Sequence, residues 1–472
     1  MSLRDDAVAI WTAGLAAVDS AKSVAQQIRV QHDQLWIADV RIQMPSAGHI
    51  EVVGAGKAGA GMASGIEAAL LATHSADGVS GWVNVPADCV RPLRHIHLHA
   101  ARPAGLNEPT QEAVQGTREI LRRVQSLSES DVCIVLLSGG ASALLCSPTP
   151  GISLSDKLSV TRALAGSGAP IHELNLVRTQ LSQVKGGRLA AACRAGTLVA
   201  LIISDVIGDP VEVIGSGPTT PSVPRAAEAL QVLRDRDVLD RIPPNVLSFL
   251  ERQAAAHATD PDAAFPWRRT FVNRIVASNA MAIDAATLKA KALGYEVQSL
   301  GSSNAGEAAE EGRQLIDRLL AIRAESCRTK QASALNRQRR VCILSGGEPT
   351  VNLSVSSPAS GIPAAHRVVA ARGGRNQELV LAAVALHRNS ADWKNVALLS
   401  GGTDGEDGPT DAAGAIVDEA VVARIAASGL NPDSYLARHD SYSIFDAVDG
   451  LFKTGPTHTN VMDLRVGLLC NR

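Results

Sequence analysis

Residues 50–61, IEVVGAGKAGAG, are where the fold first becomes readable. An apolar strand, IEVV, runs into the glycine-rich turn GAGKAGAG (54–61), and a helical pattern over 57–72 follows. Strand, glycine turn and helix in that order open a βαβ unit. The same grammar returns three times: VCIVLL leads into SGGASALL (138–145), VCIL into SGGEPTV (345–351), and VALL into SGGTDGEDGPTD (400–411). In an open α/β sheet such turns lie at the carboxyl ends of strands, where ligands bind. Glycine lets backbone N–H groups approach a phosphate without a Cβ in the way, and the following helix adds partial positive charge. One such turn is weak evidence; four on successive strands point to phosphate or nucleotide chemistry.

Working outward, the strand expectations are 49–54, 79–85, 94–99, 132–137, 198–203, 270–277, 295–300, 341–345 and 395–400, with helices at 57–72, 108–127 and 279–293 among those between them. This alternation predicts an α/β fold with parallel sheets. A chain of 472 residues exceeds one ordinary core, so two domains are expected, divided in 254–269, where periodicity is lost. We place the N-terminal domain at 1–255 and the C-terminal domain at 256–472, and read the polar, basic stretch 324–340 as a surface insertion.

Hydrophobic residues make up 46% and aromatics only 3%, so the cores must be aliphatic, as suits helices on a buried parallel sheet. A net charge of −2 carries no footprint for nucleic acid, and no apolar run is long enough to span a membrane. The seven scattered cysteines form no CxxC pair, which favours free thiols and a cytoplasmic setting over disulfides or zinc. The alternating His95, His97 and His99 lack further ligands nearby and are read as structural.

Gly54, Gly56 and Gly59 match G-x-G-x-x-G, which makes an NAD(P)-dependent oxidoreductase the alternative reading. Against it, the next strand ends in Asn84-Val85-Pro86 rather than in a ribose-binding acid. Lys57 also stands in the turn, where its charge opposes the helix dipole unless a phosphate is bound. No Walker A loop is present. In NLVRTQLSQVKGGRLA (175–190), read as a helix ending at Gly186-Gly187, Asn175, Arg178, Ser182 and Lys185 share a face that is either a solvated polar face or one suited to a carboxylate or phosphates. Asp205 follows the buried strand LVALII, a position that suits a Mg²⁺ ligand in phosphoryl transfer or, equally, an N-cap or Asx turn. Asp404, Glu406, Asp407 and Asp411 give a carboxylate-lined wall for Mg²⁺ or for proton abstraction.

At these residues the chain resembles the class II glycerate kinases, whose C-terminal half holds the MOFRL domain. The resemblance runs nearly end to end, through GAGKA (54–58), SGGASALL, NLVRTQLSQVKGGRLA, ISDVIGDP (203–210), SGPTTP (216–221), SGGEPTV, GGRNQEL (373–379), GGTDGEDGPTDAAGA (401–415) and TGPTHTNVMDL (454–464). It implies a Rossmann-like N-terminal domain, a smaller α/β C-terminal domain with MOFRL at about 340–470, and an active site in the cleft between them. It implies ATP and a divalent cation, taken as Mg²⁺, and phosphorylation of D-glycerate, with 2-phosphoglycerate as the expected product. Small molecules are then the partners of a monomer or homodimer. Lys57, Arg375 and Asp205 become the catalytic candidates. Gly54, Gly56, Ser138, Gly139, Gly140, Ser142, Ser345, Gly346, Gly347, Glu348 and Thr403 become candidates for ATP and phosphate. Asn175, Arg178, Ser182, Lys185 and Asn376 are expected to hold substrate, Asp205 and Asp404 the metal, and Asp407 and Asp411 compete as general base. Hydroxypyruvate reductase and a non-catalytic nucleotide or hydroxy-acid sensor remain alternatives. Two departures stand out. The family's His-Pro-Val-Pro-Asp segment is AARPAGLNEP (100–109) here, with Arg102 at the histidine, and its GPTGTNVND becomes GPTHTNVMD (455–463).

Overall fold

A computed structural model describes residues 2–31, 34–42, 48–71, 78–106, 108–223, 225–259, 270–330, 339–352 and 372–471. The chain forms two compact units, residues 20–276 and residues 1–19 with 277–472. The division falls after Val276, later than the expected 255, and the first 19 residues belong with the C-terminal unit. The sequence cannot show this, because helix Leu3–Ala17 finds its apolar partners far along the chain. Ala7, Ile10 and Trp11 are buried with Ile283, Ala286, Leu464 and Val466 in one cluster. Residues 260–269 of the expected boundary and 331–338 of the expected insertion lie outside the described residues, while 324–330 end a helix running from Ala308 to Lys330.

In unit 20–276, strands β1 (Ile28–Gln31), β2 (Gln34–Ile37) and β3 (Val40–Ile42) form an antiparallel three-stranded sheet. The main sheet is built from β4 (Ile50–Ala55), β5 (Val79–Pro86), β6 (Ile96–Arg102), β7 (Val132–Leu137), β8 (Thr197–Ile203) and β9 (Thr270–Ala277). Its order is β6-β5-β4-β7-β8-β9, and the pairs from β6 to β8 are parallel. All six residues of β4 and of β7 are buried, as the aliphatic runs required. The strand order reverses between β4 and β7, the switch point at which open α/β sheets bind ligands. GAGKAG leaves β4 and SGG leaves β7, so both turns stand at that point.

The other unit carries β10 (Glu296–Ser299), β11 (Arg339–Gly347), β12 (Val396–Gly402), β13 (Gly414–Asp418), β14 (Leu451–Phe452) and β15 (Asp463–Asn471) in the order β10-β11-β15-β12-β13-β14. Among the described strand pairings here, β10–β11 is parallel and the other four are antiparallel. The expectation of parallel sheets throughout is corrected by β15, which inserts antiparallel between β11 and β12. Gly347 and Gly402 both pair with Asp463 across it.

Candidate active site

In unit 20–276 the site starts at Gly56. Its φ of +151°, and a Cβ position that falls 2.0 Å from Ser138 Oγ, admit no side chain there. The close approach locks the two turns together. Lys57 N–H donates to Gly139 O (2.8 Å) and Ala58 N–H to Ser138 Oγ (3.1 Å). A Cβ placed on Gly140 (φ +79°) would lie 3.4 Å from Arg102 Nη2 and 3.5 Å from Lys57 Cγ. The SGG loop is thus flanked by the expected catalytic lysine and by the arginine that replaces the family's histidine.

Two residues on, Ser142 Oγ accepts from Arg178 Nη2 (2.8 Å) and forms a hydrogen bond with Lys185 Nζ (2.7 Å). Lys185 Nζ also lies within hydrogen-bond reach of Ser142 O, Gly215 O and Ser216 Oγ (3.1, 3.3 and 3.0 Å). The expected helix does not reach Gly186-Gly187, however. Helix Ile171–Gln180 stops, and a second runs from Arg188 to Ala192. Ser182 Oγ accepts from the Val184 and Lys185 amides, while Arg188 Nη1 donates to Thr179 O and Ser182 O. These bonds compete with the helical ladder and end it. Ser182 and Lys185 therefore leave the expected helical face, and Lys185 is fully buried rather than solvated. Asn175, on helix Ile171–Gln180, and Asp205, just past β8, are both half-buried.

Lys157 is a residue the sequence reading passed over. It is buried, and its Nζ has no hydrogen-bond partner among the described residues. The charged neighbours that shift Lys157, Arg178 and Lys185 are one another, Arg188 and the Cys146 thiol, with no carboxylate among them. Burial pushes the Lys157 and Arg178 pKa values down and that of Lys185 well down. A buried basic cluster without an acid is a site made for an anion.

In the other unit, Arg375 opens helix Arg375–Leu386. It donates to both oxygens of Asp463 (Nε 2.7 Å, Nη2 3.0 Å) and lies 3.0 Å from Glu348 Oε1. Burial works against its charge, but Asp463 and then Glu348 outweigh that and raise its pKa. Asp463 is fully buried and had no role assigned from sequence. The signal was its place at the end of TNVMD, beside no apparent partner. Asp407 caps the same helix: Oδ1 accepts from Asn376 N–H and Nδ2, and Oδ2 from Gln377 N–H. Burial, opposed by those bonds, pushes its pKa up to about 7. Asp411 instead accepts from Tyr442 and Lys453 at the exposed surface. Asp404 Oδ1 accepts from Glu406 N–H, and Thr403 is buried, donating to Met462 O.

The SGG segments of this unit are strand rather than loop. Gly346 N–H donates to Gly301 O and Gly402 N–H to Ala413 O, so these amides are engaged within the unit. Ser345 Oγ accepts from Asn304 Nδ2 and from the fully buried Arg465, another residue sequence reasoning missed. Ser400 donates to Asn376 Oδ1. Elsewhere, His97 and His99 stack on Trp82 at 4.2 and 5.1 Å. Among the described residues, no three His, Cys, Asp or Glu side chains gather as a metal cage, and no helix is long and apolar enough to cross a membrane.

The two family departures near the C-terminus share one feature. His458 (φ +59°) and Met462 (φ +69°) both occupy left-handed backbone, where the family's Gly and Asn are the better-suited residues.

Two family models match the chain: a domain of unknown function (DUF4147) over residues 6–251 and the MOFRL family over 341–463. A human protein named glycerate kinase is 36% identical, over 91% of this chain and 86% of its own. An Agrobacterium vitis protein named putative hydroxypyruvate reductase is 38% identical, over 89% of this chain and 100% of its own. The crystal structure of glycerate kinase from Thermotoga maritima has a TM-score of 0.76 at 30% identity and covers 99% of each chain.

Proposed function

The chain belongs to the glycerate kinase family that carries DUF4147 and MOFRL regions, and on that premise we propose that it transfers the γ-phosphate of ATP to a hydroxyl of D-glycerate. The products are ADP and 2-phosphoglycerate. The observation that carries the reading is the turn pair at the β4/β7 switch point, where Lys57 and Arg102 flank the Gly139–Gly140 loop.

Phosphoryl transfer passes through a loose transition state, so the protein's work is position and positive charge. Lys57 supplies charge to the moving group. Arg375 is the second cation offered for that charge, with Asp463 and Glu348 fixing its guanidinium plane. Arg178, half-buried, takes the glycerate carboxylate, while Lys185, buried behind Ser142, holds that hydroxyl. Asp205 and Asp404 are hard oxygen donors of the kind Mg²⁺ takes, and the ion would neutralise phosphate charge. A cytoplasmic enzyme acting on small molecules, as a monomer or homodimer, completes the reading.

The reductase reading lacks its ribose acid, since β5 ends in Asn84-Val85-Pro86. The two activities separate in one pair of assays. ATP·Mg²⁺ and D-glycerate should give ADP, and enolase, which accepts only 2-phosphoglycerate, should consume the other product. Hydroxypyruvate should leave NADH absorbance unchanged. NADH oxidation without ADP formation would overturn the proposal.

A further inference from the structure

Ser142 is held in a way that simple phosphate contact does not require. Its Oγ has Lys185 Nζ at 2.7 Å, Arg178 Nη2 at 2.8 Å and Ser216 Oγ at 3.3 Å. Lys185 Nζ in turn reaches Ser216 Oγ at 3.0 Å, so two hydroxyls and one amine form a closed triangle. Exposure differs sharply across it: Ser142 is half-buried, whereas Lys185 is 0% and Ser216 5% exposed. A ligand can meet the Ser142 hydroxyl but not the amine behind it.

The backbone is strained to hold this arrangement. Gly215, Ser216 and Gly217 all have φ near +60°, and Ser216 is a non-glycine residue paying for left-handed geometry. Two ladder-like bonds fix the segment to the one that carries Lys185, from Gly186 N–H to Ser216 O (3.0 Å) and from Gly187 N–H to Gly217 O (2.7 Å). Strain kept by surrounding bonds is a mark of functional sites. A serine hydroxyl in hydrogen-bond reach of a buried lysine is the arrangement of an activated nucleophile. Burial and the neighbouring Arg178 and Lys157 both favour the neutral amine. The cationic surroundings, with Lys57 and Arg102 at Gly140 two residues away, suit an anionic electrophile over a neutral ester.

We propose that Ser142 is itself a phosphoryl acceptor, forming a phosphoseryl enzyme that passes the group on to the acceptor hydroxyl; the donor, a nucleoside triphosphate, rests on the kinase reading above. In the first step Ser142 Oγ bonds to the γ-phosphorus, the bond from phosphorus to the β,γ-bridging oxygen breaks, and ADP leaves with the electron pair. The Ser142 proton goes to Lys185 Nζ. In the second step the acceptor oxygen bonds to phosphorus and the Oγ–phosphorus bond breaks. Lys185 returns its proton to Ser142, and the acceptor's proton goes to water. The sum is one proton released per transfer. Arg178 stays on Oγ throughout and stabilises the negative charge that builds on it in each transition state.

The test uses the full-length protein with [γ-³²P]ATP and Mg²⁺ in the absence of glycerate. Acid-stable label should appear on the peptide that holds Ser142 and be discharged by D-glycerate. Labelled ADP should exchange into ATP without any acceptor, and a chiral γ-phosphoryl group should reach the product with retained configuration. Ser142→Ala, a near-isosteric change, should remove label and exchange together while the far-ultraviolet circular dichroism stays unchanged. Lys185→Met should slow labelling by about 10²-fold or more, as loss of a positioned base does. Phosphoglycerate formed with inversion and with neither label nor exchange would sink the inference and leave the kinase reading intact. Label at Ser142 without phosphoglycerate would uphold the inference and overturn D-glycerate as the acceptor.

Discussion

The two units spell one string, Ser-Gly-Gly, and put it to opposite uses. After β7 it turns out of the sheet beside Lys57 and Arg102, next to a buried group of cations whose pKa values no carboxylate among the described residues shifts. After β11 and β12 it stays in the sheet, because β15 lies between those strands and pairs with both. Around it the balance is reversed: Asp463, Asp407 and Glu348 surround Arg375. One unit gathers positive charge that a ligand anion would meet. The other spends its acids on holding one arginine still. The same tripeptide reads as ligand loop or as strand according to whether neighbouring segments claim its amides.

The largest way to break this contrast is at Asp463. Asp463→Ala leaves Arg375 facing Glu348 alone and should cost about 3 kcal/mol, the low end for a broken buried pair because Arg375 is partly exposed. Urea denaturation midpoints measure it; a loss under about 1 kcal/mol would mean that solvent already holds the guanidinium.

Lys57→Ala probes the other side. Removing a preorganised cation from the transferring group should lower kcat by about 10²-fold or more with folding intact. Activity within about threefold of the parent would make Lys57 a bystander.

Asp407 gives the contrast a pH dependence. Its folded pKa, about 7, stands above the unfolded value, so the folded protein binds the extra proton between about pH 4 and 7. Its contribution is fully present below the unfolded pKa and is lost as pH rises through the folded one, by up to about 1.4 kcal/mol per pH unit. Asp407→Asn should flatten that part of the stability profile; identical slopes in parent and variant would refute the assignment.

The smallest effect sharpens rather than breaks. His458→Gly and Met462→Asn replace residues at φ +59° and +69° with the types that tolerate such backbone, and each should stabilise by roughly 0.5–1 kcal/mol. Thermal unfolding would reveal it, and a lowered midpoint would mean that the two side chains earn their place by contacts.

Much of this was legible in one dimension. β7 at 132–137 and β9 at 270–277 match the expected spans residue for residue, and helix Asn279–Ala292 ends one residue before the expected 293. Buried parallel strands and glycine turns are local signals, written in neighbouring residues. So are the residue types of the site: Lys57, Arg102 and Ser142 stand where strand-to-turn grammar puts them. Three things were settled only by distant partners. β15 was not among the expected strands, and its place between β11 and β12 depends on residues more than sixty positions away. The helix over 171–180 ended where Ser182 and Arg188 offered better bonds than the ladder. Arg375 found Asp463 and Ser142 found Lys185 across 88 and 43 residues, and helix Leu3–Ala17 joined the far half of the chain. A strand's hydrogen bonds and a buried charge's counterion must be supplied, but nothing in local sequence says by whom; that choice belongs to the tertiary structure.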